Sequence, residues 1–237
     1  MNIFSHHKCA TRWLVAYLAR TAQLNGLSFF HTDFHDQARD PSADIAFFGN
    51  ATYERIVAQN LSGVHVIRNP LSIIVSSYYS HLNSHPMDGW PQLRRQRELL
   101  QTVTREHGIL LSLTFVERAD IADRAIGPLL SLRQWDYNDK RFSTVRAEDL
   151  VAQPEATLRP ILSGLPQSSL LALPTDSEMS FSHFSCGRQV AEVDNASHYR
   201  SGSAKAWKAE APTSVIRYIR VHFTEFLERF YPEVLVD

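Results

Sequence analysis

Short apolar runs broken by polar turns fill the first seventy residues, and most of the runs lead into a segment of helical period. Asn2 to Ser5 reads as a strand, and Ala10 to Gln23 then sets Trp13, Leu14, Tyr17 and Leu18 on one helical stripe. Leu27 to His31 reads as a second strand leading into the polar stretch TDFHDQARDPSAD. Ile45 to Phe48 reads as a third, ending at Gly49 and Asn50. Val64 to Ile67 is the fourth, stopped by Asn69 and Pro70. LSIIVSSYYSHL follows as a helix, with its proline where the first turn tolerates one.

This alternation predicts a parallel sheet covered by helices on both faces, the α/β class, within one domain spanning 1–237. In such sheets ligands gather at the carboxyl ends of the strands. Residues 92–136 read as mainly helical, Arg141 to Arg146 as a fifth strand, and Pro154 to Leu162 as a helix. Residues 165–206 are rich in serine and poor in period, which predicts a long cover over a site. Thr213 to Phe230 reads as one amphipathic helix, and no internal repeat is present.

Composition narrows the partners. With 44% hydrophobic and 21% charged residues the chain is expected to fold throughout. Its 24 Lys plus Arg nearly cancel 25 Asp plus Glu, so no global field favours nucleic acid or an anionic membrane, and any anion site must be local. Two cysteines, Cys9 and Cys186, form neither a disulfide framework nor a zinc pattern. The opening MNIFSHHKC lacks the marks of a secretion signal, and no run approaches the roughly 20 apolar residues that span a bilayer. A soluble, cytoplasmic protein is expected.

Three segments carry candidate chemistry. In SHHKCATRW a turn leaves a buried strand and enters a helix at small residues, which aims free backbone N–H groups and the positive end of the helix dipole at one place. Lys8 adds an ammonium, Thr11 a hydroxyl and Arg12 a guanidinium. The glycines and the GK[ST] ending of a Walker A loop are missing. In VIRNPLSIIVSSYY, Arg68 ends the fourth strand and Ser76 follows eight residues later. An arginine fork suits a doubly charged phosphate. In YRSGSAKAWKAEAP, Arg200 and Lys208 bracket Gly202 in a basic loop before the last helix.

Together these segments resemble the sulfotransferase family that uses 3′-phosphoadenosine 5′-phosphosulfate (PAPS). Its phosphosulfate loop reads like PKSGTTW, and HKCATRW keeps the lysine, threonine and tryptophan in register. Its 3′-phosphate motif spaces an arginine and a serine as Arg68 and Ser76. Its late RKGxxGDWK motif is matched by Arg200, Gly202, Trp207 and Lys208. The resemblance implies a P-loop nucleotide kinase-like fold, PAPS as co-substrate, no metal, and in-line transfer of a sulfuryl group to a hydroxyl or amine of a small-molecule or carbohydrate acceptor. It implies Lys8 at the bridging and leaving phosphate oxygens and the segment Lys8, Cys9, Ala10, Thr11, Arg12 and Trp13 around the 5′-phosphate. Arg68, Ser76, Arg200, Ser201 and Gly202 would hold the 3′-phosphate.

Two positions depart from the family pattern. Ala147 in VRAEDL replaces a tyrosine that often meets the adenine, with Glu148 and Asp149 read as structural. Asn50 in FFGNAT stands where many cytosolic members carry a histidine base. Other branches place a carboxylate after the second strand, where HTDFHD offers Asp33, then His35, then His31 as the base, with His6 and His7 as further candidates. Cys9 lies in a setting that lowers a thiol pKa and is read as only a small loop residue. Trp13 is assigned to the core. Trp90, Trp135, Tyr137, Phe181 and Phe184 are either acceptor-pocket or core aromatics. The competing functions are an ATP- and magnesium-dependent phosphotransferase on the same fold and a non-catalytic protein that binds PAPS or its product, adenosine 3′,5′-bisphosphate (PAP).

Overall fold

The computed structural model describes residues 1–33, 37–88, 90–118, 120–121, 125–165 and 168–236. In chain order the elements are β1 (Asn2–Phe4), α1 (Thr11–Asn25), β2 (Phe29–Thr32), β3 (Ile45–Phe48), α2 (Tyr53–Ala58), β4 (Gly63–Ile67) and α3 (Pro70–Tyr79). Then come α4 (Pro91–Leu100), α5 (Arg105–Val116), α6 (Pro128–Gln134), β5 (Phe142–Arg146), α7 (Ala147–Ala152) and α8 (Pro154–Leu162). The chain closes with α9 (Asp176–Met179), α10 (Phe181–Phe184), α11 (Trp207–Glu210), α12 (Thr213–His222) and α13 (Thr224–Phe230). They form two compact units, Met1–Arg68 with Gln134–His183, and Asn69–Arg133 with Phe184–Asp237.

The first unit holds the five-stranded parallel sheet, ordered β2-β3-β1-β4-β5. The chain moves outward from β1 to β2, returns through β3, and crosses to β4 on the other side of β1. The carboxyl end of β1 is therefore the point where the topology reverses, the place such sheets bind ligands. All four residues of β3 and the last four of β4 are buried, as expected for central parallel strands covered on both faces. One face packs Phe4, Phe48 and Phe142 with Ile56 of α2 and Trp135. α1 packs on β2 and β3, burying Trp13, Leu14, Tyr17, Leu18, Thr21 and Ala22, and α7 packs on β5. Trp13 also donates from Nε1 to the Met179 carbonyl at 2.9 Å, tying α1 to α9, so it is core.

The second unit is helical. α3 is almost wholly buried and packs on α5, α11 and α12. Asn69 caps α3, its Oδ1 accepting from the Leu71 amide at 2.9 Å, and Pro70 fills the first helical position. A π-helical turn, Ser80–Ser84, carries the chain on from α3. Gly108 lets α5 lie against the Tyr78 ring, which a methyl group at that position would overlap.

Where structure and expectation differ, the causes are local. The helix expected from Thr213 to Phe230 divides at Phe223, because Thr224 Oγ1 takes the carbonyls of Arg220 and Val221 at 2.8 and 3.1 Å and competes with the helix ladder. The α2 helix has no counterpart in the sequence reading, being too short to show a period. The stretch 165–206 contains two single-turn helices, α9 and α10, the first closed by a Thr175–Glu178 capping box.

Candidate functional site

Backbone bonds hold the ends of β1, β2 and β3 level. Ser5 N–H donates to the Phe48 carbonyl at 2.8 Å, Gly49 N–H to Thr32 at 2.8 Å, and Ala51 N–H to Ser5 at 2.9 Å. From this edge the chain enters α1 through a tight loop in which Lys8 and Ala10 adopt left-handed backbone, φ 68° and 56°. The His6 carbonyl accepts from Cys9 N–H at 2.9 Å and from Thr11 Oγ1 at 3.1 Å. Ser5 Oγ donates to Cys9 O at 3.2 Å. Arg68, at the end of β4, donates from Nη1 to the Lys8 carbonyl at 2.6 Å. No side chain caps α1, so the amides of Thr11, Arg12 and Trp13 are left for another acceptor. The result is a backbone concavity of the kind that binds anions.

Charge in the loop is one-sided. Burial, then the Arg68 and Arg12 guanidiniums, push the Lys8 ammonium down to about 7. Arg12 itself is exposed. An anion placed here would offset this mutual repulsion. Cys9 runs against the thiol chemistry its position suggests: it is fully buried, and burial pushes its thiol up to about 12 despite Arg68. It is a packing residue, and Cys9 and Cys186 are both free thiols.

Asp33 sits at the rim of this loop. Its carboxylate lies over Gly49, where an added methyl group would overlap Oδ1 and would also stand 3.2 Å from Thr11 Cγ2. His31 Nε2 lies 3.3 Å from Asp33 Oδ1, and Asn50 Nδ2 donates to the Asp33 carbonyl at 2.8 Å. Asn50, which cannot serve as a base, thus fixes the backbone of a residue that can. His35 lies outside the described residues.

His6 is committed elsewhere. It is buried beneath the loop with Nε2 2.6 Å from His65 Nε2 on β4, and burial pushes it down to about 3. His65 is held well below the usual imidazole range by burial and by His6. Its ring stacks on Trp135, 3.6 Å between centroids, which places Trp135 in the core. The only sign of this pair in the sequence is a single histidine inside the apolar run GVHVI. His7 is half-buried.

The remaining candidates belong to the second unit. Ser76 is half-buried on α3. Arg200 is engaged: it pairs with Glu210 at 2.6 and 3.3 Å, both side chains largely buried, and stacks over Tyr79 at 4.1 Å. Ser201 is buried, and Gly202 takes left-handed backbone at φ 61°. Arg188 closes the preceding segment, donating to the carbonyls of Glu192, Tyr199 and Arg200 at 3.1, 2.6 and 2.8 Å. Trp207 is buried and Lys208 exposed. Trp90 is buried, whereas Phe184 and, in the first unit, Tyr137 and Phe181 are half-buried. Glu148 and Asp149 lie in the first turn of α7, a structural place that suits their charge.

A five-stranded parallel sheet with an anion loop after β1 and helices against the sheet is the fold of a sulfotransferase. The supporting neighbour is the crystal structure of mouse sulfotransferase SULT7A1 complexed with PAP. It superposes with a TM-score of 0.61 over 95% of this chain and 83% of that one, at 16% sequence identity. No family model matches the chain, and no curated protein sequence does. Among the described residues no helix is long and apolar enough to cross a membrane.

Proposed function

We propose that the chain is a sulfotransferase that takes its sulfuryl group from PAPS and delivers it to a hydroxyl or amine of a small molecule or carbohydrate. The observation that carries this reading is the loop from Lys8 to Trp13. Three cationic side chains and three unpaired amides converge at an uncapped helix start, and a carboxylate, Asp33, stands at its rim. The neighbour's bound PAP supplies the nucleotide.

In this reading the amides of Thr11, Arg12 and Trp13 take the 5′-phosphate, and Cys9 and Ala10 shape the loop that aims them. Lys8 meets the charge that builds on the bridging oxygen as the S–O bond lengthens. Such transfer depends on in-line placement and on stabilising the leaving oxygen. Asp33 takes the acceptor's proton. The motifs assign the 3′-phosphate to Arg68, Ser76, Ser201, Gly202 and Arg200. Arg200 contributes only by leaving Glu210. A cytoplasmic setting remains part of the proposal.

Calorimetric titration tests the reading. PAP is expected to bind without a metal requirement and ATP with magnesium to bind much more weakly. Tight magnesium-dependent ATP binding with no PAP affinity would sink it in favour of a phosphotransferase. PAP binding without cleavage of labelled PAPS would leave a nucleotide-binding protein.

A further inference from the structure

The end of β3 carries no ionisable side chain, and what stands there serves the residue across from it. Gly49 leaves open the volume that the Asp33 carboxylate occupies, which any side chain at 49 would claim. Asn50 donates its Nδ2 to the Asp33 carbonyl at 2.8 Å and so fixes where that residue leaves β2. His31 is two residues before Asp33, on the same side of the chain, and sets Nε2 3.3 Å from Oδ1. The His31 ring is in turn packed 5.7 Å from the Phe47 ring on β3. Thr11, in the first turn of α1, borders the same space. One carboxylate oxygen is therefore held by an imidazole, its backbone by an amide, and its position by an absent Cβ, all beside the anion loop.

We propose that His31, Gly49 and Asn50 are positioning residues that hold the Asp33 carboxylate against the anion loop, where it receives the acceptor's proton. The inference rests on the transfer reaction proposed above. In that step the acceptor oxygen bonds to sulfur as its proton passes to Asp33. The bond from sulfur to the 5′-phosphate oxygen breaks, and that oxygen leaves with the electron pair as part of PAP. Misplacing a reacting group by about 1 Å can cost on the order of a hundredfold in rate, so residues that only place the carboxylate can matter as much as the carboxylate.

A mutant cycle separates positioning from fold. The variants are Asp33→Asn, Gly49→Ala, His31→Leu and His31→Gln, alone and with Asp33→Asn. Each is assayed for PAP affinity by calorimetry and for cleavage of labelled PAPS, with water and a panel of phenols and methyl glycosides as acceptors. Gly49→Ala is expected to lower kcat about a hundredfold, and His31→Leu about tenfold, with PAP affinity and the KM for PAPS unchanged. His31→Gln, which keeps a donor, should recover most of the loss. In the Asp33→Asn background neither Gly49→Ala nor His31→Leu should cost anything further. Losses that add in that background, or that fall on PAP affinity, overturn the positioning roles while leaving the donor reading intact. PAP binding with no PAPS cleavage above buffer overturns them too, and a wild-type protein that does not bind PAP removes the donor reading and these roles with it. If Gly49→Ala does not fold, the His31 variants complete the same cycle.

Discussion

The buried His6–His65 pair should make the protein acid-sensitive in a specific window. Both imidazoles are held neutral in the fold, His6 at about 3 and His65 well below its ordinary value, chiefly because they are buried. In the unfolded chain each returns to about 6.5. The unfolded state therefore binds protons first as pH falls, so the pair's contribution is complete above pH ~6.5 and is lost progressively toward pH ~3. Each histidine costs about 1.4 kcal/mol per pH unit inside that window, or about 2 kcal/mol between pH 7 and 5, and the pair about 4. That is a large share of the roughly 5–15 kcal/mol that holds a domain folded. The assay is urea unfolding, followed by tryptophan fluorescence at pH 7 and pH 5, of the wild type and of a His6→Gln, His65→Phe double variant. The phenyl ring keeps a partner for Trp135. The wild type should lose about 4 kcal/mol more than the variant over the two units of pH. Equal losses would refute the reasoning, because they would mean that neither histidine is kept neutral by the fold. Should the double variant not fold, His65→Phe alone tests half of the difference.

Lys8, pushed down to about 7, must be protonated to hold a phosphosulfate, so PAP binding should take up a proton. The apparent Kd for PAP should rise about tenfold per pH unit above pH 7, and the binding heat should depend on buffer ionisation, both effects vanishing in Lys8→Ala. An affinity independent of pH between 6.5 and 8.5 would contradict this. Arg188→Met removes the donor to the carbonyls of Glu192, Tyr199 and Arg200. It should raise chymotryptic cleavage within 185–201 at least about tenfold by freeing local opening, with the global urea midpoint nearly unchanged. Unaltered cleavage would mean that the segment is held by other contacts.

Much of the fold is written in local pattern. β3 runs from Ile45 to Phe48 as the apolar run implies, and α8 starts at Pro154, where proline's fixed φ suits a first helical position. The sheet class follows from strands buried on both faces. What escaped the pattern depends on partners distant in sequence or on lengths too short to carry a period. Lys8 and Asp33 were legible as chemistry, but that Asp33 lies over Gly49 depends on two strands being in register. His6 was a candidate for reaching the acceptor until β4 supplied His65 as its partner. Arg200 was legible as a cation, yet its engagement by Glu210 and Tyr79 is set by packing in the second unit. The Cys9 thiol shows the same limit, since its place beside Lys8 says nothing of how deeply it is buried.

The left-handed backbone at Lys8 and Ala10 bears on how the loop meets its ligand. Each such residue costs roughly 1–2 kcal/mol relative to an ordinary conformation, because neither is glycine. A loop of glycines can wander between shapes and must be ordered by what it binds. This one carries Cβ atoms at its two tightest corners and is pinned from outside by Arg68 and from within by the His6 carbonyl. Its shape is set before any anion arrives, so little of the binding energy goes to arranging it, and association should be limited by encounter rather than by closure of the loop.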